Sequence, residues 1–240
     1  MNLFVQTFAL LHKNMKIAFV ITIPMLIGSI LGLMAEGHRE LGLFIELAVI
    51  VVGIITAVVS IGWANEAVLT GQAVKPWREY TKFVWKYILL GIIQFFVFFM
   101  VAIGFVNQWM SKFPAEEHWK DSEVIFSFFS ESATSLIWFS VINIVLIIIF
   151  VLSSYILVID DKGVWYAIKQ SFKYSFKGFL KGFISGVSMI LLLGAIAIAL
   201  GILTFYSNPL LEVVITAFAG YASALFTVFM VSLYHKLKSA

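Results

Sequence analysis

The stretch VIDDKGVWYAIKQSFKYSFKGFLKGFISG, residues 158–186, indicates how the chain is organised. Lysines recur in it every four residues and would form one stripe of positive charge on a helix. These lysines are Lys169, Lys173, Lys177 and Lys181. A neighbouring apolar stripe consists of Trp165, Ile168, Phe172, Phe176, Phe179 and Phe183. We therefore predict an amphipathic helix over residues 163–181 that lies in a membrane interface, with its rings among acyl chains and its lysines near phosphate headgroups.

Two acidic residues precede this helix. Asp160 and Asp161 mark the point where the preceding apolar segment ends. A carboxylate at the start of a helix can accept hydrogen bonds from free backbone N–H groups and faces the positive end of the helix dipole. We therefore expect one of these two residues to cap the helix.

The composition is that of an integral membrane protein. Of the 240 residues, 62% are hydrophobic and 12% are charged, which is too little charge for the surface of a soluble domain. The apolar residues form uncharged blocks of the roughly 20 residues that a helix needs to cross a hydrocarbon core about 30 Å thick. The chain has no cysteine, which excludes disulfides and thiolate metal sites. The first block is too long for the core of a signal peptide, so we expect it to be retained.

The apolar blocks predict an all-α, polytopic protein with six transmembrane helices in a single membrane domain, residues 1–240. The predicted spans are residues 17–35, 41–65, 87–110, 133–159, 182–205 and 211–234. Basic and aromatic segments predict two further interfacial helices, over residues 2–16 and over residues 76–86, the latter beginning near Pro76. Residues 111–132 form the long polar loop, which is acidic.

The distribution of charge predicts the orientation in the membrane. Of the 16 lysines and arginines, only Arg39, Lys112 and Lys120 fall on the side opposite both termini, which leaves 16 − 3 = 13 on the side of the termini. The positive-inside rule then places both termini in the cytoplasm. We expect a multi-pass protein of the plasma membrane.

Four polar residues of the predicted spans are candidates for an intramembrane site, namely Glu46, Gln94, Asn143 and Glu212. The two glutamates lie near the outer ends of their spans, where they could serve an ion or a substrate, or could simply reach water. The two amides lie deeper and could either line a polar path or hydrogen-bond between helices, for about 0.6 kcal/mol each. We favour contact with water for the glutamates and helix packing for the amides.

The sequence has no pattern typical of a catalytic or metal site. The four histidines, His12, His38, His118 and His235, are scattered over termini and loops, and no two of them have the spacing of metal ligands. No phosphate loop, nucleophile elbow or HExxH motif occurs. We expect a protein that is not an enzyme, requires no metal or cofactor and binds no nucleic acid.

One passage resembles a known family. The segment YILVIDDKGVWYAIKQSFKYSFKGFLKGF, residues 155–183, is similar to a signature of prokaryotic six-span membrane proteins. The features that match are Asp160, Asp161, Ala167, Ile168, Lys169, Ser171, Lys177, Gly178 and Phe179. These proteins include the membrane domain attached to some glycerophosphoryl diester phosphodiesterases and its stand-alone relatives. The resemblance implies a prokaryotic membrane module. It implies no phosphodiesterase activity, because in that family the activity belongs to a separate soluble domain.

Two functions are consistent with these patterns. The first is a non-catalytic membrane module that binds or organises anionic lipid, or a partner membrane protein, through its basic cytoplasmic helices. The residues expected to make these contacts are Arg78, Lys82, Lys86, Lys169, Lys173, Lys177 and Lys181. The alternative is the permease subunit of a transporter that works with a separate ATPase, which would dock on residues 66–86.

Overall fold

The computed structural model describes residues 3–34, 39–110, 122–175 and 209–239, and these residues are almost entirely helical. The helices are α1 (Leu3–Lys13), α2 (Lys16–Met34), α3 (Arg39–Thr70), α4 (Val84–Met110), α5 (Ser122–Ile159), α6 (164–175) and α7 (Pro209–Ser239). The described residues contain no strand. The all-α class predicted from the apolar blocks is therefore confirmed.

Five of the described helices, α2, α3, α4, α5 and α7, are long and apolar enough to cross a membrane. They correspond to five of the six predicted spans. The remaining predicted span, residues 182–205, lies outside the described residues. Much of the apolar surface of these helices is exposed, as it is for Phe44 and Leu47 on α3 and Phe95 on α4. Such a surface is suited to contact with lipid tails. The backbone of a spanning helix is compatible with the same surroundings, because its N–H and C=O groups bond to each other within the helix.

The structure corrects two of the predicted segments. The segment predicted as a helix over 76–86 instead forms two short 3-10 turns, Trp77–Glu79 and Thr81–Phe83, before α4 begins. The polar loop predicted over 111–132 is shorter, because α5 already begins at Ser122. The apolar residues 124–129 continue the helical pattern of the span that follows them, so they extend α5 toward its N-terminus.

Small residues allow α2 to pack closely between α3 and α7. A Cβ atom at Gly28 would lie 2.8 Å from Cγ2 of Val49 on α3, and one at Gly220 would lie 2.7 Å from Cα of Thr22 on α2. Glycine at such positions lets two helix backbones approach within van der Waals contact. On the other side of the bundle, α4 packs on α5, where the rings of Phe105 and Phe139 meet edge to face.

The tightest packing lies toward one end of the bundle. The buried apolar side chains come mainly from the C-terminal halves of α3, α5 and α7, together with the junction of α1 and α2. Examples are Val58, Ile156 and Val228, none of which is exposed to solvent. The helix segments that make this core are the ones that lead into the basic segments.

Gly220→Ala should destabilise the bundle, because the added methyl group meets the backbone Cα of Thr22 at 2.7 Å as well as its side chain, so rotation of that side chain cannot relieve the contact. We expect a loss of roughly 1–3 kcal/mol in the free energy of unfolding, as for other overpacked sites. Thermal unfolding in detergent would measure it. The matched control is Gly104→Ala, where the new methyl group meets nothing within 4 Å. Equal melting temperatures for the two variants would contradict this account of the α2–α7 contact.

Candidate functional site at the basic end

Four basic segments of the chain meet at one end of the bundle, which we call the basic end. They are the junction of α1 and α2, the connection from α3 to α4, the linker into α6 and the end of α7. Side-chain contacts join them: Asn14 bonds to Gly71 and Ala73, Lys82 pairs with Asp161, and Lys238 pairs with Asp160.

Asn14 fastens the N-terminal helix to the connection after α3. Its amide donates to the carbonyl of Leu10 at 2.9 Å and to that of Gly71 at 3.3 Å, while its Oδ1 accepts the N–H of Ala73 at 2.8 Å. Gly71 has a φ of +81°, which ends α3 in the left-handed conformation that glycine adopts without strain. A buried asparagine thereby satisfies backbone groups of two segments that are distant in sequence.

Glu66 holds the α3–α4 connection down on α3. Its carboxylate accepts the backbone N–H of Lys75 at 3.0 Å and the hydroxyl of Tyr80 at 3.4 Å. The ring of Tyr80 packs directly over Gly62, where a Cβ atom would overlap it. Because Lys75 and Tyr80 both contact α3, the connection between them must run close to α3. This constraint accounts for the two tight turns in place of the predicted helix.

Asp160 is a buried acidic group of the basic end, with 6% of its side chain exposed. Its Oδ1 lies 2.8 Å from Nζ of Lys238, and its Oδ2 accepts hydrogen bonds from the hydroxyls of Tyr234 at 2.8 Å and Tyr166 at 3.2 Å. One carboxylate therefore joins the end of α5 to α6 and to the C-terminal turn of α7. A buried charge needs such partners, since without them its desolvation would be costly.

Asp161 faces the opposite way and binds the start of α4. Its oxygens lie 2.7 Å from Nζ of Lys82 and 3.3 Å from Nζ of Lys86. The hydrogen bond from Lys82 is the main cause that lowers the pKa of Asp161, with that from Lys86 adding to it against the opposing effect of desolvation. The chain turns sharply here, with a φ of +49° at Asp161.

The prediction that Asp160 or Asp161 caps α6 is not what the structure shows. The described partners of both carboxylates are side chains of lysine and tyrosine from α4 and the turn before it, from α6 and from α7. The helix begins after Gly163, whose carbonyl accepts the N–H of Ala167. Side chains that folding brings close therefore bind these carboxylates in place of the backbone N–H groups of α6. The spacing of residues in the sequence does not show which side chains these are.

The short helix α6 has two different faces. Val164, Ala167 and Ser171 are buried against the bundle, and the hydroxyl of Ser171 donates to the carbonyl of Ile149 on α5. Lys169 and Lys173 are exposed on the outer face, together with Phe172 and with Trp165, which is 74% exposed. Of the predicted apolar stripe, Ile168 instead packs against the core.

The structure brings some of the predicted contact residues together and not others. Lys82 and Lys86 share Asp161, and the guanidinium of Arg78 lies 5.8 Å from the ring centre of the neighbouring Trp77. Lys169 and Lys173 are exposed on α6. Lys177 and Lys181 lie outside the described residues.

The four predicted intramembrane residues have different surroundings. Gln94 donates to the carbonyl of Phe150 at 3.3 Å and so joins α4 to α5, as expected for helix packing. Asn143 donates to Phe139 within its own helix rather than to a neighbouring one. Glu46 is exposed and lines an outer cavity. Glu212 belongs to α7, but its side chain is outside the described part of the structure.

Sequence reasoning missed several residues that organise the basic end. Asn14, Glu66, Tyr80 and Tyr234 have no spacing that marks them, because each meets a partner brought close only by folding. One feature of the sequence could have suggested such a role for Glu66: it is an acidic residue at the end of a span, next to a segment rich in lysine and arginine, where opposite charges attract. Across the described ranges, no cluster of histidine and acidic residues could hold a metal ion.

Comparison of the chain with models of protein families, with curated proteins and with solved structures found no match. The family resemblance of residues 155–183 is therefore an expectation from the sequence alone. The functional argument depends on the geometry of the basic end itself.

Asp160→Asn should destabilise the protein more than Asp161→Asn. Both changes remove one negative charge at nearly constant volume, but Asp160 is buried among three donors whereas half of the Asp161 side chain is exposed. We expect a loss of roughly 1–3 kcal/mol for Asp160→Asn and about 0–1 kcal/mol for Asp161→Asn. Thermal unfolding at neutral pH would measure both. An equal or reversed order would contradict the role given to Asp160.

Proposed function

We propose that the protein is a non-catalytic membrane module whose basic end binds the headgroups of anionic lipids. The observation that carries the proposal is the outer face of α6. There, Trp165 and Phe172 are exposed beside Lys169 and Lys173, while the opposite face is fixed to the bundle. An exposed ring would be unfavourable in water but suits the boundary between headgroups and acyl chains, where lysines can reach phosphate.

The contacts of the basic end divide its cations into two groups. Lys82 and Lys86 are held by Asp161, so a phosphate would have to compete with that carboxylate. Lys169 and Lys173 project from the outer face of α6. Each lysine near an anionic leaflet contributes about 1 kcal/mol of attraction. The α6 lysines are therefore the main lipid contacts in the proposal, and Lys82 and Lys86 contribute less.

The proposal includes a location. With six crossings and the basic end in the cytoplasm, the positive-inside rule is satisfied at each loop of a multi-pass plasma-membrane protein. The sixth crossing in this proposal is the predicted span 182–205, which lies outside the described residues. The resemblance of residues 155–183 to six-span membrane domains supports a prokaryotic source and a module without catalytic residues.

The double substitution Lys169→Gln/Lys173→Gln should reduce the preference for anionic over zwitterionic lipid about thirtyfold, if each lysine contributes about 1 kcal/mol. Native mass spectrometry of lipid exchange, with phosphatidylglycerol against phosphatidylcholine, would measure the preference. The matched control is Lys82→Gln/Lys86→Gln, which removes the same charge from groups already paired with Asp161 and should have a smaller effect. An undiminished preference in the α6 variant would overturn the proposal.

A second candidate function is the permease subunit of a transporter, with a separate ATPase bound at the α3–α4 connection. The observation that favours it is the way this connection is fastened by Glu66 while Val74 and Trp77 are exposed on it. A rigid loop with exposed apolar side chains is suited to docking a partner protein. Co-purification of an ATPase in mild detergent, and its loss on Trp77→Ala, would favour this function over the first.

A further inference from the structure

Two adjoining cavities run along α3 inside the helix bundle. The inner cavity, about 350 Å³, is bounded by α2, α3, α4, α5 and α7. The outer one, about 680 Å³, lies among α2, α3 and α7 near Glu46. Met25 and Val49 line both, so the two cavities adjoin at these residues. From Glu46 to Ser60, at 1.5 Å per residue, the pair extends over about 21 Å of α3.

The inner cavity excludes charged ligand groups. Its lining is mostly apolar, with Ile21, Met25 and Ile61 among the residues, and none of the described residues around it carries a charge. An ion placed there would lose its hydration without gaining a counter-charge, which is costly at membrane depth. A pocket of this size with a few convergent polar groups is typical of a site for a small neutral ligand.

The hydroxyl groups of the inner cavity present acceptor oxygens. Thr56 donates its proton to the carbonyl of Gly53 at 3.0 Å, and Ser60 donates to that of Ala57 at 2.8 Å. Since each hydroxyl has one proton and two lone pairs, both oxygens keep the capacity to accept. Two such oxygens, four residues apart on the same face of α3, would accept a hydrogen bond from a ligand group that donates one.

Thr227 and Ser154, on α7 and α5, follow the same pattern. Their protons go to the carbonyls of Ser223 and Phe150, and Tyr155 and Tyr87 line the same cavity. Because these two phenol groups can themselves donate to Thr227 and Ser154, Thr56 and Ser60 are the main acceptors for a ligand in this proposal.

We propose that the two cavities form a binding site for a neutral amphiphile with a hydroxyl group, such as a long-chain lipid alcohol. The hydroxyl donates its single proton to the oxygen of Thr56 or of Ser60, and the apolar chain extends through the outer cavity toward the bilayer. The exposed apolar flanks of α2 and α3 next to the outer cavity, such as Ile27 and Ile50, allow the chain to arrive from the lipid phase. This site is independent of headgroup binding at the basic end.

Gly53→Leu tests the site by filling it. Gly53 lines the inner cavity, and a Cβ atom there meets nothing within 4 Å, so the new side chain can enter the space without a clash at its base. The probe is a photoactivatable long-chain alcohol added to the full-length protein in phosphatidylcholine nanodiscs, with its methyl ether as the matched probe that cannot donate. The control variant is Gly104→Leu on α4, which also meets open space but does not line either cavity.

We expect the wild type to be labelled by the alcohol about fivefold more than by the ether, the difference that one hydrogen bond makes. Gly53→Leu should lose labelling by both probes, while Gly104→Leu keeps it. Thr56→Val/Ser60→Ala, which preserves the space, should abolish the difference between the probes. Equal labelling of the wild type by both probes would overturn the proposal, and so would undiminished labelling of Gly53→Leu.

A long-chain amine probe separates a neutral from a cationic ligand. An ammonium group would pair with the carboxylate of Glu46, which lines the outer cavity, but finds no counter-charge among the described residues of the inner cavity. The wild type should therefore be labelled less by a photoactivatable amine than by the alcohol. Stronger labelling by the amine than by the alcohol, lost in Glu46→Gln, would overturn the assignment of a neutral ligand.

Discussion

Two adjacent carboxylates at the end of α5 hold the basic end of this protein together. Asp160 points toward α6 and α7, and Asp161 points toward the start of α4. Each carboxylate is held in place by lysines, and these lysines, Lys82, Lys86 and Lys238, come from segments far apart in the sequence. The attraction between these groups is therefore what closes the loops over the ends of the apolar helices. Asn14 and Glu66 add neutral and charged hydrogen bonds to the same assembly.

This fastening gives the bundle an asymmetry with functional consequences. At the basic end the helices are densely packed, and α6 is held by its buried face, so that Trp165, Phe172 and the two lysines lie on its outer face. The inner cavity begins beside this packed core, at Ser60 and Ile61, and the outer cavity lies farther along α3. The surface proposed to bind lipid headgroups and the neutral cavity within the bundle thus belong to one arrangement. Headgroup binding depends on the positive charge of exposed lysines, whereas binding in the inner cavity depends on the absence of charged side chains around it.

Much of this arrangement could be predicted from the sequence, for identifiable reasons. The uncharged blocks determine the long helices because an apolar helix satisfies its own backbone, and five of these helices lie where the blocks predicted them. What the pattern could not supply was any contact between distant segments. The residues around Pro76 have the composition of an amphipathic helix, yet Glu66 and Gly62 impose a pair of tight turns. Thr56 and Ser60 appear in the sequence as isolated polar residues of a span, because a sequence does not show which face of a helix meets a cavity.

The central claim is that all four basic segments lie on the cytoplasmic side of the membrane. The chain contains no cysteine, so single cysteines can report their side of the membrane without a background. We would introduce Val74→Cys, Ser239→Cys and Ala115→Cys separately and label intact cells with a membrane-impermeant maleimide. The account predicts labelling at position 115 in intact cells, and at positions 74 and 239 only after lysis. Labelling of position 74 or 239 in intact cells would contradict it.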